Sequence, residues 1–147
     1  MRKDNYTRRK NLMKILITGA VANADEESKH LYKMIIELCK EYSNVIYSPI
    51  DTMQFKGTNA ERYKRAMELL QSTNFIIAEM SVTSTGQGME LQEAVRLNIP
   101  IIIVAKENSK ISGLILGTEK VMDVIYYKDI KDLEEKLSNS LKVNLKV

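Results

Sequence analysis

The chain has one cysteine and one histidine in 147 residues. A single cysteine excludes an internal disulfide, and with His30 as its only companion it excludes the familiar Cys/His zinc sites. Cys39 falls on the apolar face of a predicted helix, where core packing is expected, and His30 is expected to be an exposed helix residue. No apolar run approaches the ~20 residues of a membrane span. The basic N-terminus has no apolar stretch behind it of the signal-peptide kind, so the sequence reads as a cytoplasmic protein. Internal repeats and low-complexity segments are also missing.

Charge of one sign is scarce outside the first residues. There are 22 basic and 19 acidic side chains, a formal net charge of +3. Residues 1–13 hold five Lys/Arg against Asp4, so this segment carries +4 and the rest of the chain −1. A nucleic-acid groove needs its basic charge on the folded surface. Neither a nucleic-acid nor a membrane partner is therefore expected. The sequence divides into a disordered basic tail, 1–13, and one folded domain, 14–147. With 44% hydrophobic and 28% charged residues, the chain has enough apolar material for one core and too little length for two.

What is present is an alternation of short apolar runs and amphipathic segments. Lys14-Ile15-Leu16-Ile17-Thr18 reads as a buried first strand ending at Gly19. Asp25, Glu26 and Glu27 open a helix whose stripe is Leu31, Met34, Ile35 and Leu38. Val45-Ile46-Tyr47 is a second strand, and residues 59–72 a second helix with Tyr63, Ala66, Met67 and Leu70 on one side. Phe75-Ile76-Ile77-Ala78 is a third strand, followed by a polar loop, 81–88, and a third helix starting near Met89. Pro100-Ile101-Ile102-Ile103-Val104 is the most apolar strand and is expected at the centre. A strand near 124–126 and a helix over about 130–141 complete the chain. Solidly apolar strands alternating with helices predict an α/β fold: a single-domain, doubly wound, parallel five-stranded sheet in the flavodoxin-like order 2-1-3-4-5.

Ligands of such sheets bind outside the carboxyl ends of the strands where strand order reverses, here between strands one and three. Two loops matter, one at 19–24 and one at 81–88. In the second, Gly86 and Gly88 allow tight turns and close approach, while Ser81, Thr83, Ser84 and Thr85 offer hydroxyls ahead of a helix N-terminus, a combination suited to a phosphate. Glu90 is expected in the first turn of that helix, where the dipole lowers a carboxylate's pKa and keeps it ionised. It is then a candidate nucleophile. Read without further information, the same residues also describe a plain connecting loop and a helix-stabilising acid.

The block FIIAEMSVTSTGQGMELQEA, residues 75–94, resembles the nucleoside 2-deoxyribosyltransferase family. That family's signature is an apolar strand, Ala-Glu, a Ser/Thr-rich turn, Gly-x-Gly, then an apolar or aromatic residue before Glu-Leu. The likeness runs over about 14–117. It implies that Glu90 is the catalytic nucleophile, attacking C1′ of a nucleotide to leave a glycosyl-enzyme ester. Ser84, six positions earlier, matches the hydrolases that cleave deoxynucleoside 5′-monophosphates, whereas transferases commonly carry an acid there. Residues 111–117, Ile-Ser-Gly-Leu-Ile-Leu-Gly, resemble a stretch of the same hydrolases in which the serine holds phosphate from the neighbouring subunit. The resemblance thus implies substrate contacts from Gly19, Ser84, Gly86, Gly88 and Ser112, a homodimer or higher homo-oligomer, and neither cofactor nor metal. Leu16 stands where the hydrolases have tyrosine, and Ala66 where the family places an acid. The loop from Gly19 also lacks the arginine of the hydrolases. The leading expectation is an N-glycosidase acting on (deoxy)nucleoside 5′-monophosphates. A deoxyribosyltransferase between free nucleosides and a non-catalytic nucleotide-binding domain are the alternatives.

Overall fold

The computed structural model describes residues 2–20 and 25–145. Its strands are β1 (Lys14–Thr18), β2 (Val45–Tyr47), β3 (Phe75–Glu79), β4 (Ile101–Lys106) and β5 (Val121–Tyr127). The helices are α1 (Arg2–Leu12), α2 (Glu26–Cys39), α3 (Pro49–Gln54), α4 (Asn59–Ser72), α5 (Thr85–Arg96), α6 (Gly113–Leu116) and α7 (Ile130–Asn144). All four strand pairings are parallel, and the order is β2-β1-β3-β4-β5, as the alternation of elements predicts. β4 is interior and fully buried over Ile101–Ala105, but the middle strand is β3.

Both faces of the sheet are covered, which is why the strands are apolar throughout. On one face Ile15, Ile17, Phe75, Ile77, Ile102 and Val104 pack under α2 and α7. Leu16, Ile76, Ala78, Ile101 and Ile103 face α4 and α5 on the other. Cys39 lies in the first core, completely buried, and His30 is exposed. Of the expected inner side of α4, Leu70 is fully buried, whereas Tyr63 is exposed and only Ala66 and Met67 are half-buried.

The segment read from the sequence as a disordered tail carries a helix. Residues 2–12 form α1, a helix with no apolar stripe that is tied down by polar contacts. Tyr6 donates to the carbonyl of Glu41 at 2.9 Å, the Lys10 carbonyl accepts from the Asn44 amide at 3.2 Å, and the Asn11 and Asn44 side chains pair. Two short helices were also unforeseen. α3 begins with Pro49 behind a capping box in which Ser48 and Asp51 satisfy each other's backbone amides. α6 is a single turn. Among the described residues, no helix is long and apolar enough to cross a membrane.

Candidate active site

β1 and β3 run side by side, with Thr18 opposite Ala78, so their carboxyl ends open together onto the top of the sheet. Gly19 follows β1 directly. A Cβ at this position would overlap the hydroxyl of the buried Tyr32, so the chain passes here only without a side chain. Residues 21–24, the rest of that expected loop, lie outside the described residues.

α5 starts at Thr85, four residues earlier than expected. Ser84 is its N-cap: the hydroxyl oxygen accepts from the Gln87 amide at 3.3 Å, and its carbonyl accepts from the Gly88 amide at 3.2 Å. Gly86 and Gly88 are therefore helical residues rather than loop hinges. No glycine has a positive φ, and a Cβ on either one would meet nothing within 4 Å. What locks α5 to the sheet is Gln87, only 2% exposed. Its Nε2 donates to Thr18 Oγ1 at 3.0 Å and to the Glu79 carbonyl at 2.9 Å, joining the ends of β1 and β3 to the first turn of α5.

This anchoring aims Glu90 across the sheet. Its carboxylate, half-buried, lines a cavity of about 130 Å³ together with Leu16, Gly19, Phe55, Arg62, Arg65 and Ala66. That volume is below the roughly 300 Å³ at which pockets enclose whole small ligands. It has room for part of a small ligand, with the rest reaching out. Glu90 is in the second turn of α5, not the first, beyond the range at which a helix dipole acts strongly. Burial is the cause acting on it, and burial raises its pKa above the ordinary glutamate value. The direction is opposite to the expected lowering, and its cause is desolvation. Leu16 and Ala66 share the cavity with Glu90, so the residues that depart from the family pattern are at the site itself. Glu61 and Glu68 are exposed and outside the lining, and Glu68 lies 3.9 Å from Lys64.

The other expected site residues are spread more widely. Ser84 and Gly86 stand at the mouth of α5, while Gly88 lines a separate groove with Tyr63 and Met67. Ser112 is exposed at the head of α6, beside Leu114, which is 86% exposed.

A larger cavity, about 510 Å³, opens on the α2/α7 face of the same sheet edge. Its acidic floor is Glu79, whose carboxylate accepts from the Ser81 amide at 2.6 Å, the Ser81 hydroxyl at 3.0 Å and the Tyr127 hydroxyl at 2.5 Å. The Lys106 amide donates in turn to Ser81 Oγ at 2.8 Å. Burial and the facing carboxylate push the Tyr32 phenol up to about 12 and raise that of Tyr127 as well. A carboxylate already holding three donors is a structural brace, whereas burial alone acts on Glu90. The smaller cavity is the candidate active site.

The chain is similar to curated proteins over most of its length. A Methanosarcina mazei protein with the provisional name 2′-deoxynucleoside 5′-phosphate N-hydrolase 1 is 27% identical over 128 residues, covering 82% of this chain and 79% of the relative. A Methanosarcina barkeri protein of the same name is 25% identical over 129 residues, covering 83% and 80%. The chain is similar to the hydrolase branch of the deoxyribosyltransferase family. Solved structures show the shared fold. The Clostridium botulinum CMP N-glycosidase superposes with a TM-score of 0.63 at 17% identity, over 84% of this chain and 97% of that one. The Leishmania mexicana 2-deoxyribosyltransferase does so with 0.65 at 14% identity, over 92% and 99%. No protein-family model matches the chain.

Proposed function

We propose that the chain is an N-glycosidase that hydrolyses the base–sugar bond of (deoxy)nucleoside 5′-monophosphates, with Glu90 as nucleophile. The observation that carries the reading is a half-buried carboxylate aimed into the cavity beside the β1 and β3 ends, with burial rather than a partner setting its pKa. The names of the relatives, N-hydrolases of deoxynucleoside phosphates and a CMP N-glycosidase, support the reaction class.

In the proposed reaction an oxygen of Glu90 bonds to C1′ as the C1′–N bond breaks, and that bond's electron pair leaves with the base. The base takes a proton from solvent. Water then attacks C1′, gives up a proton to solvent, returns the carboxylate to Glu90 and completes hydrolysis through two oxocarbenium-like transition states. Burial helps the first step because a poorly solvated carboxylate is a stronger nucleophile once ionised. The phosphate is assigned to the mouth of α5. Ser84 and Gly88 leave the amides of Thr85 and Gly86 pointing out of the helix, and the Ser84 hydroxyl keeps its proton to donate. Gly19 lets the substrate approach the β1 end closely, and Ser112 reaches the phosphate of a second copy in a homodimer.

A non-catalytic nucleotide-binding domain is favoured by one observation: Leu16 and Ala66, at the positions where the family has a tyrosine and an acid, line the cavity of Glu90 with apolar side chains. Chromatography of nucleotides and nucleosides after incubation with the protein separates the readings. Free base released by wild type and not by Glu90→Ala supports hydrolysis. Exchange only when a second base is added supports transfer, and binding without product supports the binding domain.

A further inference from the structure

We infer that Arg62 and Arg65, held on Phe55, read the base of the substrate, and that preferred substrates carry a base presenting a carbonyl acceptor. The inference rests on the nucleotide reading above and adds the base that reading leaves open.

The two arginines lie three residues apart on one side of α4, and both line the cavity of Glu90. Their guanidinium carbons stand 5.2 and 5.3 Å from the centroid of the Phe55 ring, which lines the same cavity. One ring thus holds two cations in place. Lys64, between them in sequence, is 3.9 Å from Glu68. Neither arginine has a carboxylate within ion-pair distance among the described residues. Both arginines are exposed, so their oriented donors can exchange water for the acceptors of a ligand.

The layout of the site decides which part of a nucleotide they meet. With phosphate at Ser84, Glu90 lies six residues further along α5, about 9 Å up the helix axis, and marks C1′. In-line displacement puts the base on the face of C1′ opposite Glu90, so it extends from α5 across the cavity towards α4. A guanidinium has donors and no acceptor, and its fork matches a carbonyl oxygen beside a ring nitrogen, as in a 6-oxopurine. Adenine presents an amino donor at that carbonyl's place. The same donors stabilise negative charge on the carbonyl oxygen as the bond's electron pair moves into the departing base. Phe55 offers an apolar face at the same point.

The test compares 2′-deoxyinosine and 2′-deoxyadenosine 5′-monophosphates, which differ in the group at C6, by hydrolysis and by calorimetric binding to the full chain. Wild type is expected to favour the inosine nucleotide. Arg62→Ala and Arg65→Ala each reduce kcat/KM or affinity for it by roughly 5- to 150-fold while sparing the adenosine nucleotide. Arg→Lys variants, which keep the charge and lose the fork, fail to restore the preference. Equal losses on both nucleotides, or no loss, overturn the inference and leave the proposed activity standing. If neither nucleotide is cleaved, binding alone decides by the same ratios, and a protein that binds neither refutes both readings. Melting curves of each variant separate a lost contact from a lost fold.

Discussion

The brace under the sheet edge yields a stability prediction with a definite size. Tyr127 and Glu79 are 2% and 7% exposed, and the phenol donates to the carboxylate at 2.5 Å. Tyr127→Phe keeps the ring and its packing but removes one of three donors from a buried anion. Hydrogen bonds to charged groups contribute about 1.5–3 kcal/mol, and the Ser81 amide and hydroxyl remain to hold the other share. For a domain near this size each kcal/mol shifts Tm by about 2–4 °C, so a fall of about 3–12 °C is expected. The assay is urea and thermal unfolding of wild type, Tyr127→Phe, Glu79→Gln and the double variant. A coupling energy above about 0.5 kcal/mol is expected, because the two groups touch. Because the Ser81 hydroxyl accepts from β4, the loss should leave the m-value unchanged while loosening the loop that leads into α5. Additive single-variant effects, or a Tyr127→Phe protein within 0.5 kcal/mol of wild type, would refute the brace.

Four other outcomes follow from the site and its neighbours. The raised pKa of Glu90 moves the acid limb of the pH–rate profile above the ordinary glutamate range. Its stability effect has a fixed sign. Because the folded value exceeds the unfolded one, the cost of burying the anion is absent below the unfolded value and complete above the folded value. Stability from this group therefore falls as pH rises through that window, and Glu90→Gln should melt higher than wild type at pH 8 with the gap closing towards pH 4; a lower melt at pH 8 contradicts this. Ser84→Ala should weaken cleavage of monophosphates by roughly 10- to 150-fold relative to bare nucleosides, and equal loss on both removes Ser84 from the phosphate seat. Gly19→Ala drives a methyl into the Tyr32 hydroxyl and should cost about 1–3 kcal/mol in urea unfolding, with Tyr32→Phe recovering part of it; an unchanged midpoint shows that the ring can move.

The strand order was legible because each strand is apolar on both sides, and only a sheet covered on both faces by crossover helices buries such runs. The start of α5 was misjudged for a local reason. Two glycines in Ser84-Thr85-Gly86-Gln87-Gly88 suggest a loop, yet Ser-x-x-Gln is itself a helix-start pattern, and Ser84 uses it as an N-cap. Gln87 does not complete the capping box. It turns inward to Thr18 and Glu79, contacts 69 and 8 residues away that no local pattern encodes. α1 escaped notice because it has no apolar stripe to reveal it, and its anchors at Glu41 and Asn44 are more than 30 residues distant. Glu90, which the motif singled out, lines the smaller cavity. Its protonation behaviour was misread because helix position is local whereas desolvation depends on Leu16, Phe55 and Ala66 arriving from other elements. Nothing local marked Arg62 and Arg65, because their shared contact with Phe55 exists only in the folded chain.

Acid quenching during turnover of a deoxynucleoside 5′-monophosphate, followed by intact-mass and peptide mass spectrometry, interrogates the carboxylate directly. A protein heavier by one sugar phosphate, with the ester on the peptide carrying Glu90 and no adduct in Glu90→Ala, is the predicted result. Base release that proceeds undiminished in Glu90→Ala, or an adduct on another residue, would contradict the account.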